Sequence, residues 1–393
     1  MPTVIAIEAK PVEFEGLDSG FLHLYLVKTA TDEQGRIISE KVIRGTAGSG
    51  GDLETLVDAD LATSPDRRGS DTPEERHREV LDLGARNADD VWQIMVQHAN
   101  NIEKADLDYS IDIVGRIPGD DLNSNSVVAS VLHSVGLNLN TSFPDGVSRS
   151  DAPLYGQLQY MDVNDTLFGT AQDDRILGGV GNDRLYGRDG FDRIYGEDGN
   201  DRFYGDNGND ALFGGNGNDS LSGGFDDDAL KGGSGDDSLD GGVGNDSLKG
   251  ESGNDRLYGN LGDDTLSGGS GNDRLDGQAG ADVVHGGSGR DAFVYNTIPN
   301  SPTEIDTIRD FSVADDTFWL NNNAFAGLGQ DGTLKSSAFW TGTEAHDATD
   351  RVIYDRANGL LYYDQDGNGT AEQVLVARLS AGLKMTNHDI LVI

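Results

Sequence analysis

Residues 214–221 read Gly-Gly-Asn-Gly-Asn-Asp-Ser-Leu, residues 232–239 Gly-Gly-Ser-Gly-Asp-Asp-Ser-Leu, and residues 268–275 Gly-Gly-Ser-Gly-Asn-Asp-Arg-Leu. The same nine-residue phase extends in both directions. Asp recurs at 165, 174, 183, 192, 201, 210, 219, 228, 237, 246, 255, 264, 273, 282 and 291. Two residues after each stands an apolar residue, from Leu167 and Ile176 through Leu239 and Leu257 to Val284 and Phe293. Glycine holds a third fixed position from Gly169 to Gly286, and a fourth from Gly181 to Gly289 that is broken at Asp226. A repeat of this length is the first thing a sequence can reveal about architecture.

Nine residues are too few for a helical hairpin, and one apolar residue among small polar ones suits a very short strand. Glycine permits φ > 0 and lets a backbone carbonyl approach a ligand. Two units then close one coil of a flattened parallel β-helix, with apolar residues stacked inside and turns stacked along both edges. Stacking brings the Asp of every second unit close to its neighbour. Like carboxylates at that spacing repel unless something positive lies between them. A hard, oxygen-liganded cation satisfies this, and Ca²⁺ takes about six to eight such ligands.

Residues 164–291 resemble the RTX family of hemolysin-type calcium-binding repeats. The resemblance implies a parallel β-roll with several Ca²⁺ ions between successive turns, roughly 8–12 by coil geometry. The implied side-chain ligands are Asp174, Asp183, Asp192, Asp201, Asp210, Asp219, Asp228, Asp237, Asp246, Asp255, Asp264, Asp273 and Asp282. The implied carbonyl ligands are Gly179, Gly181, Gly190, Gly199, Gly208, Gly215, Gly217, Gly233, Gly235, Gly242, Gly244, Gly253, Gly262, Gly269, Gly271, Gly280, Gly287 and Gly289. Some copies depart from the pattern. Arg188, Glu197, Asp206, Glu251, Asn260 and Gln278 replace the second glycine, Asp226 replaces the later one, and Thr170–Gln172 lack both. Sites at those copies are expected to be weaker, above all at the N-terminal end.

A roll this poor in apolar residues does not offset its own chain entropy. Calcium at tenfold its Kd adds about 1.4 kcal/mol per site, so about ten sites supply a domain's stability. With Kd near 10⁻⁴–10⁻³ M, as in extracellular modules, the segment is expected to be unfolded inside the cell and folded outside.

Composition agrees. The 393 residues carry 69 Asp+Glu against 29 Lys+Arg, a net charge of -40, which disfavours nucleic acid and anionic membranes and favours cations. Cysteine is absent, excluding disulfides and thiolate zinc sites. No apolar run is long enough for a membrane span. The N-terminus, Met-Pro-Thr-Val-Ile-Ala-Ile-Glu, lacks a basic n-region, so no cleaved secretory signal is expected.

The expected organisation is multidomain: an α+β globular domain at 1–163, the parallel β-roll at 164–291, and a β-rich cap at 292–393. In the cap, strands are expected at 306–311, 316–320, 374–379 and 390–393, with a hairpin of 351–355 and 360–364 around Asn358-Gly359. This region is similar to the cap of serralysin-type RTX proteins, which implies an uncleaved C-terminal signal and the type I secretion machinery as partner. Ile390–Ile393 also reads as an edge strand. Asp364-x-Asp366-x-Asn368-Gly369 looks like the start of an EF-hand loop, but Leu375 stands where the bidentate Glu belongs.

In 1–163, Phe21–Lys28 alternates like a strand that 36–44 can pair with, and 45–71 reads as a polar loop. Thr72-Pro-Glu-Glu75 predicts a helix to about Leu83. Further helices are expected at Ala88–Ile102 and Ser126–Val135, and a strand at Tyr109–Val114. Asn123-Ser-Asn-Ser126 at a helix start, preceded by His23 in a strand, resembles permuted papain-like hydrolases with Ser124 in place of the cysteine. That resemblance implies Ser124 as nucleophile and His23 as general base; the plainer reading is a helix cap and a sheet histidine. His-Glu-x-x-His, Gly-x-Ser-x-Gly and Walker A are absent. The expected function is a secreted, extracellular calcium-binding protein whose roll folds on export. The alternatives are a Ser-dependent hydrolase or amidase, or an adhesin, acting through the N-terminal domain.

Overall fold

The computed structural model describes residues 3–14, 17–31, 37–47, 53–60, 77–81, 83, 86–104, 133–134, 164–299 and 301–393. The chain forms two compact units, residues 1–187 with 194–198 and residues 188–193 with 199–393.

In the first unit, β1 (Thr3–Phe14), β2 (Leu17–Thr31), β3 (Ile37–Ala47), β4 (Leu53–Asp60) and β5 (His77–Val80) form an antiparallel sheet in the order β4-β3-β2-β1-β5. The expected pairing of 36–44 with the Phe21–Lys28 strand holds, with Leu26 opposite Ile43 and Lys28 opposite Lys41. Two expectations fail. The supposed polar loop contains β4, because β3 offers it an edge and pairing overrides its polar composition. The helix predicted up to Leu83 is replaced in its second half by β5, which pairs with β1 at Ala6–Ala9. A free sheet edge outweighed the local capping signal.

Helix α1 (Ala88–Lys104) matches its predicted start, with Asp89 and Asp90 in the first turn complementing the helix dipole. It buries Val91, Trp92, Ile94, Met95, His98 and Ala99, whereas Val96 is half-buried. The predicted strand at 109–114 and all of the predicted helix at 126–135 except His133 and Ser134 lie outside the described residues.

A parallel β-solenoid of about seven turns occupies residues 166–293. Its strands are mostly six residues long and alternate between two faces. Ser220–Phe225, Ser238–Val243 and Arg256–Leu261 lie side by side on one face, and Ala229–Ser234, Ser247–Ser252 and Thr265–Ser270 on the other. The register is fixed at 18 residues: Leu221 opposes Leu239, and Leu239 opposes Leu257. The phased apolar residues Leu167, Ile176, Leu185, Ile194, Phe203 and Leu212 through Phe293 are all buried, as the repeat predicted.

Within the first unit, α1 covers the opening strand β6 (Thr166–Phe168). Gln97 both donates to the Phe168 carbonyl (3.0 Å) and accepts from its N–H (2.8 Å), so a side-chain amide stands in for a neighbouring strand. Past the repeats the faces continue into the cap. Thr317–Leu320 and Ile390–Val392 extend one face, and Asp306–Ile308 and Val374–Arg378 extend the other. Val352–Asp355 and Leu360–Tyr363 form the predicted antiparallel hairpin, with Gly359 at φ 72. Ile390–Val392 is not an edge strand: it lies between Thr317–Leu320 and Gly332–Thr333.

Candidate metal centre

Each repeat Asp lies at the point where a turn enters the next strand, and from Asp165 to Asp291 every one is buried. The backbone explains one of its two oxygens. The N–H of Asp210 donates to Oδ1 of Asp228 (2.7 Å), Asp219 to Asp237, Asp228 to Asp246, and so on to Asp273 with Asp291. The ladder does not stop with the repeat. Asp282 donates to Asp306 Oδ1 (3.1 Å) and Asp291 to Asp316 Oδ1 (3.0 Å), although those partners lie 24 and 25 residues away. Asp306 and Asp316 thus continue the two Asp rows. Their phase is lost in the sequence because the connecting segments are longer than one coil.

The other oxygen is unsatisfied. At every ninth residue from Asp210 to Asp291, Oδ2 is buried without a hydrogen-bond partner. A buried orphan of this kind costs about 1–3 kcal/mol, more when charged, so ten of them together cost roughly 10–30 kcal/mol. That is as large as the whole net stability of a typical domain. Burial is also the first cause of raised pKa values along the row, which hydrogen bonds from the preceding coil only partly offset. Asp228 is pushed up to about 8, Asp237 and Asp264 to about 7, and Asp210, Asp219, Asp246, Asp273 and Asp291 to about 6. Asp282 is raised by burial and then by the charge of Asp306.

The orphan oxygens face backbone carbonyls. A Cβ placed on Gly205 would overlap both Asp210 Oδ2 and the Gly223 carbonyl oxygen. The same holds at Gly214 for Asp219 and Gly232, and at Gly223 for Asp228 and Gly241. Glycine at this position keeps open a space onto which a carboxylate and a carbonyl from the next coil converge. The donors are all oxygen, which suits a hard cation. The residues therefore fit calcium.

All the predicted aspartates, Asp174 to Asp282, take these edge positions. The eighteen predicted glycines, Gly179 to Gly289, all adopt left-handed backbone with φ between 99 and 149. A Cβ on Gly217, Gly235, Gly262 or Gly271 would collide with the carbonyl stacked 18 residues before it. The departures from the consensus do not break the turns. Arg188, Glu197, Asp206, Asp226, Glu251, Asn260 and Gln278 keep the glycine conformation at φ 69–83.

Sequence reasoning missed the carbonyls of the first glycine, such as Gly223 and Gly232. It also missed an outer ladder. Asn218 Oδ1 accepts from Asp236 N–H, Asp236 Oδ1 from Asn254, Asn254 Oδ1 from Asn272, and Asn272 Oδ1 from Arg290. The signal was present as Asn or Asp immediately before most repeat aspartates.

The other candidates lie away from this ladder or outside the described residues. His23 lies in β2 opposite Lys10, and Ser124 lies outside the described residues. At the EF-hand-like stretch, Asp364 Oδ1 accepts from Asp366 N–H and Asp366 Oδ2 from Thr370 and Ala371, as in a turn. His346, Asp347 and Asp350 lie together, but Asp350 Oδ2 already accepts from the N–H groups of His346 and Asp347.

Six segments, 161–194, 177–212, 186–221, 222–257, 231–266 and 258–293, match the family described as RTX calcium-binding nonapeptide repeat (4 copies). Residues 161–293 therefore carry RTX calcium-binding repeats. A solved structure similar to the chain is the solution structure of the AlgE6R3 subunit from the Azotobacter vinelandii mannuronan C5-epimerase. It shares 22% identity over 45% of this chain and 78% of that one, with a TM-score of 0.23. No curated protein matches the chain. The papain-like resemblance of the N-terminal region gains no support from these matches.

Proposed function

We propose that the RTX repeats make this chain a secreted calcium-binding protein whose roll folds when it meets extracellular Ca²⁺. The observation that carries this reading is the row of buried, unpartnered Oδ2 atoms from Asp210 to Asp291. The Asp carboxylates would hold the ions together with the carbonyls of the glycine turns. The ions supply positive charge between like charges and replace the hydrogen bonds those oxygens lack. The roll is then a fold that its own side chains oppose and a divalent cation completes.

Export fits the same device. Ile390–Val392 is buried between two strands once the cap is folded. A C-terminal signal containing it is readable by type I secretion machinery only before the cap closes. Low calcium inside the cell keeps the roll open, and millimolar calcium outside closes it. The 1–163 region is cargo in this scheme.

Equilibrium dialysis of the full chain against calcium tests the reading. Several ions per chain are expected at millimolar free Ca²⁺, and Asp237→Asn should lower the number. Binding of one ion or none would contradict it.

A further inference from the structure

The two Asp rows have four ends, and two of them are closed by a donor four residues earlier in the chain. Inside the rows, the residue four before each Asp has left-handed backbone: Asp206 before Asp210, Gly215 before Asp219, Gly224 before Asp228 and Gly233 before Asp237. The corresponding residue is Thr170 before Asp174 and Ser312 before Asp316, and neither has positive φ. The change of backbone turns an N–H onto the carboxylate. Thr170 donates to Asp174 Oδ2 from its N–H (2.6 Å) and its hydroxyl (3.0 Å). Ser312 N–H donates to Asp316 Oδ2 (2.8 Å). At the start of the row that Asp316 ends, Asp165 Oδ2 is bonded to His98 Nδ1 of α1, but Asp165 Oδ1 is buried without a hydrogen-bond partner, so this end is only half closed.

We propose that the Thr170–Asp174 and Ser312–Asp316 contacts are built-in stops that end the calcium rows. The oxygen that faces a cation inside the roll is occupied at Asp174 and Asp316 by a protein donor. An ion entering there would have to displace a charge-assisted hydrogen bond. Asp174 and Asp316 look like ligands by position and are not ligands by chemistry. The stops also give the terminal coils a conformation that does not wait for calcium. The segments around Asp174 and Asp316 are thus satisfied before any ion binds. The same i−4 closure recurs in the cap, where His346 N–H donates to Asp350 Oδ2 (2.7 Å).

The inference rests on the calcium reading above, and its test separates the two. Calcium bound per chain at saturation is measured on the full chain for the wild type, Asp174→Asn, Asp316→Asn and Asp237→Asn. The wild-type number of ions is expected for the two end variants and a loss of at least one ion for Asp237→Asn. End variants that lose ions as Asp237→Asn does would overturn the stops while leaving calcium binding intact. A wild type that binds no calcium would overturn both. Should an end variant fail to fold, wild-type crystals loaded with terbium decide the matter. Anomalous peaks are expected beside Asp219, Asp237 and Asp255 and none at Asp174 Oδ2 or Asp316 Oδ2. A peak at either of those two oxygens refutes the stops.

Discussion

Asp237 is fully buried; its Oδ1 accepts the N–H of Asp219, and its Oδ2 meets no donor. Its state is therefore set by what else is available, a proton or a cation. An ordinary Asp has a pKa near 3.9. Asp228 at about 8 and Asp237 and Asp264 at about 7 are raised in the folded state, chiefly by burial. A raised folded pKa means that the folded chain binds more protons, so the contribution is present at low pH and lost as pH rises through the folded value. Without calcium, the roll should gain stability as pH falls from about 8 to about 4. With calcium the order reverses, because ions and protons compete for one oxygen. Melting curves in a chelator across that pH range check this, and a calcium-free roll that weakens on acidification would contradict it. The phase of Asp and Leu was legible in the sequence because both recur every nine residues. The Gly223 and Gly232 carbonyls and the Asn218–Asp236–Asn254 ladder were not, because they meet only through coils stacked 18 residues apart. Glu251 and Asn260 keep the backbone that glycine has elsewhere in the repeat. Left-handed backbone costs a non-glycine residue about 1–2 kcal/mol, and stacking overrides that cost.

At the scale of the strand, the coil is held by one apolar side chain inside and by backbone pairing on both sides. Leu239 is fully buried and sits in register with Leu221 and Leu257. Leu239→Ala should cost about 2–5 kcal/mol, since the stacked neighbours leave the cavity little room to collapse. The expected readout is a lower melting temperature in calcium and a higher calcium concentration at half folding. Unchanged values would show that the Leu stack does not carry the core. The six-residue strands and the hairpin at Asn358-Gly359 were legible because short-range chemistry dictates them. β4 and β5 were not, because their sequences carry weak strand signals and edges of the N-terminal sheet recruit them. Asp306 and Asp316 escaped notice because the connections before them break the nine-residue count.

At the scale of the whole chain, the solenoid holds two rows of like charges, with protein donors on Asp174 and Asp316. Its buried oxygens cost about as much as a typical domain's whole net stability. Calcium is then a folding partner whose concentration sets whether the roll exists. Amide hydrogen exchange of the full chain, in millimolar calcium and in excess chelator, tests this most directly. The account predicts strong protection across residues 175–291 in calcium and its collapse in chelator. Protection in that stretch that is equally strong in chelator would contradict it.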